Sequence, residues 1–183
     1  MISHRKDVPG SGSIQGVYYA FKRVFWDNDR NYGSLVLIST EKRKTIMSCI
    51  LRASGKNFDV DKFLSQTKLQ PCAVFKKGKP KYQARPKGKK NEFSGINIEV
   101  SNADFNQLDQ QIQDAIKFLQ KNKDEVRNLI DFLGLDSESE IDFAIEKRNV
   151  RAQTDYFPPK LLVLAGTLGL GIRLSIYPCD EGR

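Results

Sequence analysis

Histidine is almost missing from this chain: His4 is the single one among 183 residues. A Ser-His-Asp triad, a Cys-His pair and a histidine-based zinc site are therefore excluded as readings within one chain. Cysteine is scarce as well. Cys49, Cys72 and Cys179 form neither a CxxC pair nor a metal-ligand spacing, and their odd number argues against an oxidised secreted scaffold. Reduced thiols follow, and Cys49, inside an apolar run, reads as a small buried side chain. Long apolar runs are absent too. Nothing approaches the roughly 18 residues a membrane span needs, and the start, with His4, Arg5, Lys6 and Asp7, lacks the apolar stretch of a signal peptide. The expectation is a cytoplasmic protein without membrane contact, metal or cofactor.

What the chain does have is charge, unevenly placed. Lys and Arg number 30 against 22 Asp and Glu, a net +8. Residues 47–92 hold 12 cations against 3 anions, net +9, whereas 93–183 hold 10 against 15, net −5. The sharpest local feature is Lys76, Lys77, Lys79, Lys81, Arg85, Lys87, Lys89 and Lys90, with Phe75 and Tyr82 beside them. These residues are the candidate contact set. They are expected to meet a protein partner, or a nucleic acid whose bases stack on the aromatics. The plainer alternative is a solvated loop whose lysines guard a sheet edge. A lone arginine in the stretch weighs against nucleic acid, because arginine is the better reader of phosphates and bases.

Hydrophobic periodicity gives the architecture. Thr45 to Ala53 reads as a strand buried on both faces, broken by Ser54, Gly55, Lys56 and Asn57. Phe58, Val60, Phe63 and Leu64 then fit a short helix capped by Asp59. Cys72 to Phe75 reads as a strand, Gly78 and Pro80 as a turn, and Tyr82 to Ala84 as a returning strand, giving a lysine-rich hairpin over 76–90. Ile96, Ile98 and Val100 alternate with polar residues as in a half-buried strand. Phe105, Leu108, Ile112, Ala115, Ile116 and Leu119 step by three and four along a helix that Ser101, Asn102 or Asp104 can cap, and Val126, Leu129, Ile130 and Leu133 continue the stripe to Gly134. Ile141, Phe143 and Ile145, and later Ile172, Leu174 and Ile176, alternate as strands with one wet face. Between them Pro158 and Pro159 open a helix over 160–168. The fold class is α+β: an antiparallel or mixed sheet covered by helices on one face, in a ferredoxin-like, split βαβ arrangement. Residues 1–44 read as an N-terminal extension and 45–179 as a single domain, with Met47 the expected start of its functional part.

Two other clusters have ordinary explanations beside their chemical ones. Gly166, Gly169 and Gly171 in G-T-L-G-L-G follow a helix and precede a strand, the reverse of a dinucleotide loop, so they read as a helix cap and turn. Asp136, Glu138, Glu140 and Asp142 place their last three members on one strand face. A solvated face explains them, with a cation or a basic partner as the alternative.

The segments S-C-I-L-R-A-S-G, F-D-V-D-K-F-L, F-S-G-I-N-I-E-V and P-P-K-L-L-V-L-A-G-T-L-G-L-G-I-R-L-S-I-Y-P together resemble a bacterial domain family of unknown function over residues 47–178. The resemblance implies a small cytosolic α+β protein of the kind that includes immunity-protein-like members of toxin systems, and it carries over no catalytic residue. The function expected is a non-catalytic protein-interaction factor of the immunity or defence-associated type, acting through its sheet edge, its lysine hairpin or its acidic lobe. A nucleic-acid-binding module using 76–90 is the alternative, and an enzyme with a site assembled only in space is a third.

Overall fold

The computed structural model describes residues 47–178 apart from 83, 135 and 136. The expected extension over 1–44 lies outside the described residues, as do Asp136 and Cys179.

Alternation builds the sheet from its centre. Cys49–Gly55 form β1, in which Cys49, Leu51 and Ala53 point to one face and Ile50, Arg52 and Ser54 to the other. The strand runs on through Ser54 and Gly55, where a break was expected, because strands pair with it on both sides. β3 (Ser94–Ser101) pairs antiparallel on one flank, with Leu51 opposite Ile98, and β4 (Ser137–Glu146) pairs antiparallel on the other, with Leu51 opposite Ile141. Outside β3 lies β2 (Ala73–Phe75), antiparallel, and outside β4 lies β5 (Gly171–Tyr177), parallel, with Ile141 beside Ile172. The order is β2-β3-β1-β4-β5. This is the mixed sheet that the alternation implied. β4 and β5 are direct neighbours joined through helix α4 (Pro159–Thr167), so no strand is inserted between them as it would be in a split βαβ unit.

The helices bury one apolar stripe each in a single core. α1 (Val60–Leu64) starts at Asp59, whose carboxylate accepts the Lys62 amide at 3.1 Å, and buries Val60 and Phe63. The rings of Phe58, Phe63 and Phe132 pack together with centroids 5.5 to 6.0 Å apart, Phe58 and Phe132 edge to face and the other two pairs tilted. α2 (Leu108–Lys121) turns Ile112, Ala115, Ile116 and Leu119 inward. The stripe is interrupted at Asn122 and resumes in α3 (Lys123–Leu133), which buries Val126 and Leu129 and ends at Gly134 with φ +75°. Fully buried leucines such as Leu51, Leu119 and Leu129 each contribute about 1.5–3 kcal/mol through removal from water.

Two details at the start of α2 depart from the expected pattern. Ser101, Asn102 and Asp104 do not cap it: Gln107 holds the cap position, and its side-chain oxygen accepts the Asp104 amide at 3.0 Å. Phe105 lies ahead of the helix and stacks on Tyr177, centroids 5.4 Å apart. Gln111, fully buried, donates Nε2 to the carbonyls of Ala144 (2.9 Å) and Asp104 (3.1 Å), tying α2 to β4 where an apolar residue would be the default.

Candidate functional site

The lysine-rich segment leaves the sheet at the end of β2 and returns at β3. Its two arms are joined by main-chain bonds: Gly78 N to Asn91 O at 2.8 Å, Asn91 N to Lys79 O at 2.9 Å and Lys81 N to Lys89 O at 2.8 Å, around an antiparallel bridge between Pro80 and Lys90. Gly78, at φ +77°, makes the turn into the first arm. Tyr82 and Ala84 are in a bend and a turn, not in the returning strand expected there; the chain comes back along 89–91 instead. Proline at position 86 and the two turns closed by Arg85 N to Tyr82 O and Gly88 N to Arg85 O keep the tip out of a ladder.

This arm carries the candidate set. Lys76 donates to Asp61 on α1, with Nζ 2.6 Å from Oδ2, a pair exposed enough to contribute at most about 1 kcal/mol. Lys77, Lys79, Arg85, Lys87, Lys89 and Lys90 are exposed and have no ion-pair partner among the described residues. Lys81 is buried, and burial first, then the charge of Lys89, lowers its pKa. Tyr82 is half-buried. The Phe75 ring lies on Gly95, where a Cβ would collide with the ring and would also sit 2.6 Å from the Ala53 carbonyl oxygen. Phe75, half-buried, thus uses its ring for packing against Gly95.

A second polar region lies on the sheet face opposite the helices. The Arg52 guanidinium donates to Asp142 Oδ2 through Nε and Nη2, each at 2.9 Å, and Ser175 Oγ donates to Asp142 Oδ1 at 2.7 Å. Arg173 Nε donates to Glu140 Oε1 at 2.6 Å. Asp142 is only 5% exposed, so the reading of Glu138, Glu140 and Asp142 as a solvated strand face is corrected for the latter two: each accepts from a guanidinium that follows the same alternation on a neighbouring strand. Among the described residues no group of carboxylates, thiols or imidazoles is arranged to hold a metal ion. Asn97, next to Arg52 in register and 2% exposed, has no partner for Nδ2. Burial, then the Asp142 carboxylate, raises the pKa of Tyr177. The network joins residues 33 and 90 positions apart, which is why no local motif signals it. The signal available was a basic residue at a polar position of one strand and acidic residues at polar positions of another.

A cleft of about 440 Å³ opens between α1 and α3, and its one engaged acid, Glu125, accepts from Thr67 Oγ1 at 2.8 Å and from the Lys68 amide at 3.2 Å. Those hydrogen bonds, that of Thr67 first, lower its pKa. Among the described residues no helix is long and apolar enough to cross a membrane.

Residues 44–178 match the model of a family described as a domain of unknown function, DUF4279. No curated protein and no solved structure matches the chain.

Proposed function

We propose that this chain, which belongs to the DUF4279 family, is a non-catalytic protein-interaction factor of the bacterial immunity or defence-associated type. Its lysine-rich arm engages an acidic protein partner. The observation that carries the reading is the arm itself: a segment held in shape by its backbone that presents Lys77, Lys79, Arg85, Lys87, Lys89 and Lys90 to solvent without an ion-pair partner among the described residues. Fixing cations on an ordered arm lowers the ordering cost of binding and speeds encounter with an anionic surface. Two further observations support it. The groups that carry chemistry on the sheet are engaged with each other, and the Cys49 thiol is buried and held protonated. The packing of Phe75 on Gly95 favours protein over single-stranded nucleic acid, which needs free aromatic platforms.

The test compares the full chain with a variant in which Lys77, Lys79, Lys87 and Lys89 become Glu. Affinity capture from the host should retain one discrete acidic protein on the parent chain and lose it on the variant. Labelled single- and double-stranded nucleic acid, titrated with salt in parallel, should bind weakly and without regard to the variant. Tight binding that falls steeply with salt and collapses in the variant would transfer the arm to nucleic acid.

A further inference from the structure

The edge of the sheet far from the lysines has its own chemistry. Among the described residues β5 has a neighbour on one side only. The Tyr177 carbonyl accepts the Lys147 amide at 2.7 Å on the β4 side, so strand alternation turns the backbone groups of Ile172, Leu174 and Ile176 outward. The side chains of the same three residues lie on the helix side of the sheet, beneath α4; Ile172 and Leu174 pack against the core and Ile176 is 51% exposed. Above them α4 keeps Leu161 and Ala165 buried but leaves Leu162 49% and Val163 66% exposed. At Gly166, on the same side of the helix, an added Cβ would meet nothing within 4 Å. The strand has no lysine, proline or irregularity to discourage pairing.

We propose that β5 pairs antiparallel with β5 of a second copy of this chain, centred on Leu174, with the exposed side of α4 against its counterpart. The strand is complementary to itself in this register. Leu174 meets Leu174 and Ile172 meets Ile176 as hydrogen-bonded pairs, which uses the outward backbone groups on each strand. On the other face Arg173 falls opposite Ser175 and Gly171 opposite Tyr177, so no like charges meet; Arg173 is moreover neutralised by Glu140 in its own chain. A two-fold contact of this kind closes on itself and gives a discrete dimer, not a fibre. The β2 edge does not offer the same pairing, because it presents only Ala73–Phe75, too short a strand to pair well.

Sedimentation equilibrium of the full chain from low to high micromolar concentration tests this. The expected mass is twice the 20.8 kDa of one chain. Ile176→Pro removes an outward amide while leaving the β4 ladder intact, and Ile176→Lys and Val163→Glu place charge in the contact without touching the core. All three should sediment as single chains with circular dichroism unchanged. The Lys77→Glu, Lys79→Glu variant should remain a dimer. A parent chain that stays monomeric, a dimer that survives Ile176→Pro and Val163→Glu, or polydisperse aggregates in place of a dimer would each overturn the proposal.

Discussion

At one edge of the sheet β2 presents three residues before the chain leaves into a lysine-rich arm; at the other β5 presents seven with an apolar helix side above them. Among the described residues no further strand lies beside either edge, and the backbone donors and acceptors of such an edge invite pairing. On the β2 side pairing is limited by shortness and by cations directly after Phe75, and an approaching surface must be anionic to gain from them. On the β5 side pairing is limited by nothing in the strand, and an approaching surface must be apolar and extended. The same sheet thus offers one surface selected by charge and one selected by shape, and a single protein can use both at once because they lie at opposite ends of the strand order.

The comparison depends first on β5 being firmly held. Asp142 joins β1, through Arg52, to β5, through Ser175. Asp142→Ala leaves a largely buried guanidinium without its anion and should cost about 3–5 kcal/mol. Urea unfolding would show the loss, and hydrogen exchange should show β5 amides opening before those of β3. A loss under about 1 kcal/mol would mean that the ladder with β4 alone holds the apolar edge. At the other edge Gly95→Ala drives a methyl group against the Phe75 ring and the Ala53 carbonyl oxygen, at a cost of about 1–3 kcal/mol, because overpacking forces backbone to shift. Adding Phe75→Ala should return part of that loss. No return would place the strain in the β1 backbone and not in the docking of β2.

Thiols report the same contrast between the sheet centre and its lysine edge. Burial first, then the carboxylates of Asp142 and Asp114, hold the pKa of Cys49 well above the ordinary 9.0. Cys72, beside β2 with Sγ 3.2 Å from the Asn97 carbonyl, is raised as well, burial again leading. For Cys49 the folded pKa is the higher one, so the stability it contributes is fully present below the unfolded value and is lost as pH rises past it. The parent chain should lose up to about 1.4 kcal/mol per pH unit relative to Cys49→Ala once pH exceeds that of a free thiol. Maleimide at neutral pH should label Cys72, which is half-buried, far sooner than Cys49. Equal rates would show the sheet centre opening as readily as its edge.

Much of this molecule is legible from periodicity, and the exceptions have a common cause. Leu51, Ile98, Ile141 and Ile172 fall in one row because each strand alternates and helices cover one face. Asp59 caps α1 and Gly134 ends α3 because those roles depend on neighbours a turn away. Where the partner is distant, local pattern fails. The acidity of Glu140 and Asp142 reads as solvation until Arg173 and Arg52 are placed beside them, and the strand expected at Tyr82 and Ala84 yields to a bridge that needs Lys90 opposite Pro80. The candidate cations were visible as composition; their display on a backbone-tied arm was not.

The smallest expected effect on stability comes from the most conspicuous residues. The bonds that shape the arm, Gly78 N to Asn91 O and Lys81 N to Lys89 O among them, are made by main chain and do not involve a lysine ammonium. Lys77, Lys79, Lys87 and Lys89 have no ion-pair partner among the described residues to lose. Changing all four to Glu should therefore move unfolding free energy by no more than about 0.5 kcal/mol, the ordinary range for surface substitutions. A larger loss would show that the cations serve the fold. With stability unchanged, mass decides what else they do. If the lysines guard β2, the variant should associate beyond its parent at equal concentration; if they serve an external acidic surface, its mass should equal the parent's and only partner binding should fall. The second outcome is expected, because β2 is too short to pair well even when its flanking charge is reversed.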